Sequence, residues 1–145
     1  MSRNYRQLRV YEDARQLTLA VYKNTQHFPR DEWFGIRLQI RRAAVSTGAN
    51  IVEGSARKTT RDYCNFLNIS LGSASELAYL LELSMDLGFI ASQPGLQLLE
   101  TSNGVVRQLQ RLVDQIEALE RQERSSAARP GRVRSPKPED RSPTE

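Results

Sequence analysis

Ser46, Asn50, Glu53 and Arg57 follow one another at spacings of four, three and four, which lines them up along one side of an α-helix. Ser73 and Glu76 offer a facing set from a second segment. Hydroxyls beside carboxylates suit nucleophilic and acid–base catalysis, but that chemistry normally needs a base next to the hydroxyl. The single histidine, His27, falls in a turn well before this segment, where it is expected to end a helix and interact favourably with the helix dipole. Glu53 and Glu76 lack the dense acidic spacing of a loop built for a hard cation. One cysteine, Cys64, with one histidine cannot complete a tetrahedral zinc site within a chain, and Cys64 is expected as a small core residue. The expectation is a structural polar network of Arg42, Ser46, Asn50, Glu53, Ser73 and Glu76, with Arg42 paired to Glu76. No catalytic group, metal or cofactor is expected.

The cations point elsewhere. Residues 37–61 hold Arg37, Arg41, Arg42, Arg57, Lys58 and Arg61 against Glu53 alone. Residues 62–87 reverse the sign, with Asp62, Glu76, Glu82 and Asp86 and no lysine or arginine. The net charge of +4 and pI near 9.6 fit a polyanionic partner. Arg37, Arg41, Arg57, Lys58 and Arg61 are therefore the candidate contacts to RNA or DNA phosphates, with some of the basic charge expected to be neutralised by the acidic segment if the two pack together. No zinc finger, RNA-recognition aromatic pair or helix-turn-helix accompanies them, so such binding would follow shape and charge. Arg3, Arg6 and Arg9 flank Tyr5 as a basic terminal arm. The competing expectation is a protein-interaction scaffold, in which Trp33 and Phe34, besides anchoring the second helix, serve an interface.

Four helical segments must position these groups. Val10, Ala14, Leu17 and Val21 predict a first helix that ends before His27-Phe28-Pro29. Asp31 is the expected cap of a second, which carries Ile36, Ile40, Ala43, Ala44, Thr47 and Ile51 on one side and closes at Gly54 in a left-handed turn. Thr59 or Thr60 opens a third, lined by Tyr63, Phe66, Leu67, Ser70, Leu71, Ala74, Leu77, Leu81 and Met85 and ended by Gly88. The fourth, with Pro94 in its first turn, repeats Leu98, Ser102, Val105, Leu109, Leu112, Ile116 and Leu119 at alternating spacings of four and three. The fold class is all-α: an antiparallel up-and-down four-helix bundle.

A chain of 145 residues with 39% hydrophobic content supports one core and one domain, expected over residues 1–124. From Ser125 to Glu145 the composition turns to Arg, Ser, Pro and Glu, which cannot offset its ordering entropy, so a disordered basic tail is expected. No apolar run is long enough for a membrane span or a signal peptide, so a cytoplasmic protein with no membrane contact is expected.

LRVYEDA, FPRDEWFGIRLQIRRAAVSTGANIVEGSAR, YCNFLNISLGSASEL and LELSMDLGFI, spread over about residues 5–119, resemble the 23S rRNA-intervening-sequence family of four-helix bundle proteins. The most specific parts are the Arg41 to Ser46 run, Asn50-Ile51-Val52-Glu53-Gly54, and Gly72-Ser73 with Glu76. Thr47-Gly48 stands where many members have Ile-Pro. The resemblance implies a ring-like homopentamer without assigned enzymatic activity. Some relatives are encoded within ribosomal RNA genes, and a related accessory protein partners a reverse transcriptase and binds nucleic acid through a basic surface. By that likeness the partners expected here are further copies of the chain, RNA or DNA, and a reverse transcriptase or another protein.

Overall fold

Residues 3–129 and 131 are described by a computed structural model. Apolar side chains recurring every three or four residues bury one side of each of four helices: α1 (Arg9–Asn24), α2 (Ile36–Ser55), α3 (Thr60–Asp86) and α4 (Ser92–Ala127). Short 3-10 turns at Tyr5–Gln7 and Arg30–Glu32 precede α1 and α2. Each helix packs against two others in a closed square, α1 with α2 and α4, and α3 with α2 and α4. Residue numbers rise on one helix as they fall on its neighbour: the Thr18 hydroxyl donates to the Ala44 carbonyl (3.1 Å), while Arg41 reaches back to Thr25 (2.9 Å). Gln108 donates to Asp13 (2.7 Å) and Thr60 to Glu123 (2.9 Å), which ties α4 to α1 and to α3 in the same sense.

The core holds the expected stripe of α2 in full, together with Val10, Ala14, Leu17 and Val21 of α1 and Tyr63, Leu67, Ala74, Leu77 and Leu81 of α3. On α4 the buried line runs Leu98, Ser102, Val105, Leu109 and then Val113. Leu112 and Ile116 are only half-buried and Leu119 is exposed, so the heptad expectation fails over the last turns. A straight helix drifts off a seven-residue repeat, so the end of α4 follows the 3.6-residue period.

Thr59 caps α3 as expected, its hydroxyl accepting the Asp62 amide (3.1 Å), and Gly88 takes the left-handed conformation (φ 77°) after that helix. Two boundaries differ from expectation. Asp31 lies in the 3-10 turn, and α2 starts after Gly35, with the Glu32 carboxylate accepting the Ile36 amide (3.4 Å). Gly54 is inside α2 and buried, with no left-handed turn. Its role is close approach: a Cβ there would stand 2.8 Å from Phe66 Cβ and 3.2 Å from Tyr63 Cδ2. The tail expected from Ser125 begins within α4, which runs on to Ala127, and position 130 with 132–145 lies outside the described residues.

Gly54→Ala is expected to destabilise the bundle by about 1–3 kcal/mol through overpacking. Gly72→Ala, where nothing lies within 4 Å of the added methyl, should stabilise by about 0.5–1 kcal/mol. Urea unfolding of the two variants checks both signs.

Candidate nucleic-acid interface

The α2–α3 contact joins the polar residues of both helices. Ser46 Oγ and Ser73 Oγ lie 2.8 Å apart, and the Asn50 amide donates to the Ser46 hydroxyl (3.0 Å) and carbonyl (2.8 Å). Deeper in, buried Ser70 donates to the Thr47 carbonyl (2.6 Å). The partners of Ser46 and Ser73 are hydroxyls and amides; among the described residues no imidazole or carboxylate is hydrogen-bonded to either. His27 is exposed in the turn after α1. The arrangement closes a helix seam and holds no activated nucleophile. No group of three His, Cys, Asp or Glu residues able to hold a metal occurs among the described residues.

The rest of the expected network is not joined to this seam. Among the described residues no ion pair connects Arg42 to Glu76, and both side chains are exposed. Glu53 pairs with Arg57 (2.7 Å) one turn on, a half-exposed contact worth little. The other ion pairs, Arg9–Asp13, Arg15–Glu12 and Arg124–Glu120, also lie within single helices. Opposite charge on α2 and α3 thus produces no direct pairing between them, because Ser46, Thr47, Ser70 and Ser73 occupy the contact and turn Glu76 and Arg42 out to solvent.

The basic residues divide between the two ends of α2. At its start, Arg37 lies over the Trp33 ring (4.7 Å), with Arg30 also against that ring (5.5 Å). Arg41 stacks on Tyr22 (4.5 Å) and donates to the Thr25 hydroxyl (2.9 Å) and the Tyr22 carbonyl (3.3 Å). It therefore closes the C-terminal end of α1, where a cation suits the exposed carbonyls. Burial, then the neighbouring Arg37, holds its guanidinium below the usual arginine range, with Tyr22 pulling the other way. Arg41, expected as a ligand contact, is thus engaged with the end of α1 through Thr25 and Tyr22.

At the other end, Arg57, Lys58 and Arg61 surround the α2–α3 turn, with Arg57 over the Phe66 ring (4.5 Å). Arg3 joins them, donating to the Arg57 carbonyl (3.0 Å) and lying over Tyr63 (4.4 Å). Arg3 belongs to the terminal arm in sequence, but helices of alternating direction bring the start of α1 beside the end of α2. Arg37, Arg42, Lys58 and Arg61 have no carboxylate partner among the described residues. Cys64 is buried beside this end, and burial, then Glu117 and Glu120, raises its thiol pKa, which disfavours the reactive thiolate.

A family model described as 23S rRNA-intervening sequence protein matches residues 6–111. The chain belongs to that family. A solved structure from Bacteroides thetaiotaomicron, described as a protein with unknown function from the S23 ribosomal protein family, is similar with a TM-score of 0.67 and 24% identity. The match covers 72% of this chain and 95% of that one, and at this identity it shows the fold alone. No curated protein matches the chain. Family membership thus gives a helical bundle without an assigned activity, and none of the described helices is long and apolar enough to cross a membrane.

Ser73→Ala should cost about 0.5–1.5 kcal/mol and Ser46→Ala somewhat more, since it also removes the Asn50 contact, and the double variant should cost little more than Ser46→Ala because the Ser46–Ser73 bond is shared. Additive losses in chemical denaturation would show that the two hydroxyls do not act together.

Proposed function

We propose that this chain is a non-enzymatic, homo-oligomeric accessory protein of the cytoplasm that binds RNA or DNA. The contact surface comprises Arg37 and Arg42 on α2 together with Arg57, Lys58 and Arg61 around the α2–α3 turn. The observation that carries this reading is the missing neutralisation: α3 is acidic, yet it leaves Arg37, Arg42, Lys58 and Arg61 unpaired among the described residues. Uncompensated cations on α2, on the turn after it and at the start of α3 attract phosphates. Arg41 supports this surface by fixing α1 against α2 and contributes less to the ligand.

The family likeness supports assembly of several copies, a homopentamer in the first instance, which would repeat the surface and raise avidity without new contacts. Exposed Tyr79 (63%) and Ile69 (51%) supply apolar surface for contact with other chains, whether further copies, a reverse transcriptase or another protein. The same side chains favour the alternative, a protein-interaction scaffold whose charge is incidental.

The triple variant Arg42→Glu, Lys58→Glu and Arg61→Glu tests the proposal, since all three side chains are exposed and have no carboxylate partner among the described residues. Fluorescence anisotropy with RNA and DNA oligonucleotides should show a loss on the order of a hundredfold, with helical content and sedimentation unchanged. Unaltered affinity would overturn it. A purified protein that retains a protein partner but no nucleic acid at moderate salt would favour the scaffold.

A further inference from the structure

The Arg37 end of the basic surface differs from the Lys58 end in carrying a built aromatic cluster. Trp33 is fixed: its indole N–H donates to the Phe28 carbonyl (3.0 Å), and Phe28 is buried and packed on Phe89 (5.6 Å between centroids). Arg37 and Arg30 both lie against the Trp33 ring. Two guanidinium groups are thereby oriented by stacking while remaining charged, as phosphate recognition requires. Phe34, next in the chain, is 89% exposed, the most exposed large apolar side chain among the described residues. It sits in the short connection between the 3-10 turn and α2, one helical turn ahead of Arg37, with its neighbour anchored to the core.

Full exposure of a phenyl ring is unfavourable unless something covers it. The local charge selects among the occupants. Arg30 and Arg37 lie on the ring of the adjacent Trp33, while of the two nearby carboxylates Glu32 is engaged at the start of α2, leaving Asp31 alone. An exposed aromatic ring next in the chain to a tryptophan that orients two arginines matches the pairing of phosphate contacts with base stacking that binds single strands. Duplex has no unstacked base to offer such a ring.

We propose that this end of the bundle is a single-strand-binding site, in which Phe34 stacks against an unpaired base and Arg30 and Arg37 hold the flanking phosphates. This rests on the nucleic-acid reading above and narrows it to single-stranded RNA or DNA. Selectivity for a base identity is not expected, because every base has a π-face.

Three probes separate the outcomes: a uridine or thymidine decamer, a blunt-ended duplex of the same length, and inorganic polyphosphate, which has charge but no bases. The full-length protein should bind the single strand at least about tenfold more tightly than the duplex. Phe34→Ala should weaken the decamer about 5- to 100-fold and leave polyphosphate unchanged, whereas Phe34→Trp should retain single-strand binding. Equal affinity for strand and duplex, or equal loss on the decamer and polyphosphate, would overturn the stacking site while leaving the charged surface intact. Absence of binding to all three would remove both. A change in the sedimentation of ligand-free Phe34→Ala, with decamer binding per folded chain retained, would assign the ring to a contact between copies and overturn the proposal.

Discussion

The close approach of α2 and α3 is the constraint on which the remaining features depend. Gly54 lies against Phe66 and Tyr63, and the Ser46–Ser73 and Ser70–Thr47 hydrogen bonds bring two backbones together without large side chains between them. A contact made of small and hydroxyl-bearing residues has no room for arginine or glutamate. The charged groups of both helices are consequently displaced to its flanks, where they cannot reach one another. The arginines left without carboxylate partners at the two ends of α2 are therefore a by-product of how tightly the helices pack.

The same geometry sets the two ends of α2 apart. At the end shared by α1 and α2, arginines rest on Trp33 and Tyr22, and one of them closes a helix terminus. At the α2–α3 turn they gather around Tyr63 and Phe66, with Arg3 arriving from the start of the chain. Stacking of this kind contributes only about 0.5–1 kcal/mol per contact at exposed sites, so it orients the cations more than it stabilises the fold. Orientation matters for recognition, because a guanidinium already held in place loses less freedom when a phosphate arrives.

Much of the fold was legible because burial follows period. The α2 stripe from Ile36 to Ile51 is buried as its spacing requires, and Thr59 and Gly88 mark the ends of α3 by local chemistry alone. Gly54 was misjudged because a glycine serving close packing and a glycine serving a turn look alike in one dimension. The Ser46, Asn50 and Ser73 seam was visible for the same reason as the stripe, while Arg42–Glu76 failed because opposite charges on facing helices do not specify facing directions. Arg41's service to α1 and the placement of Arg3 depend on contacts between residues 16 and 54 positions apart, which no local pattern records.

The central claim is that uncompensated cations along α2 and its turn govern the binding of a polyanion, and the salt dependence of affinity for the unmodified protein tests it most directly. With about four phosphates neutralised on a single strand, raising the salt from about 50 to about 200 mM should weaken binding roughly fiftyfold, linearly on logarithmic axes. An affinity that stays flat across that range would contradict the account.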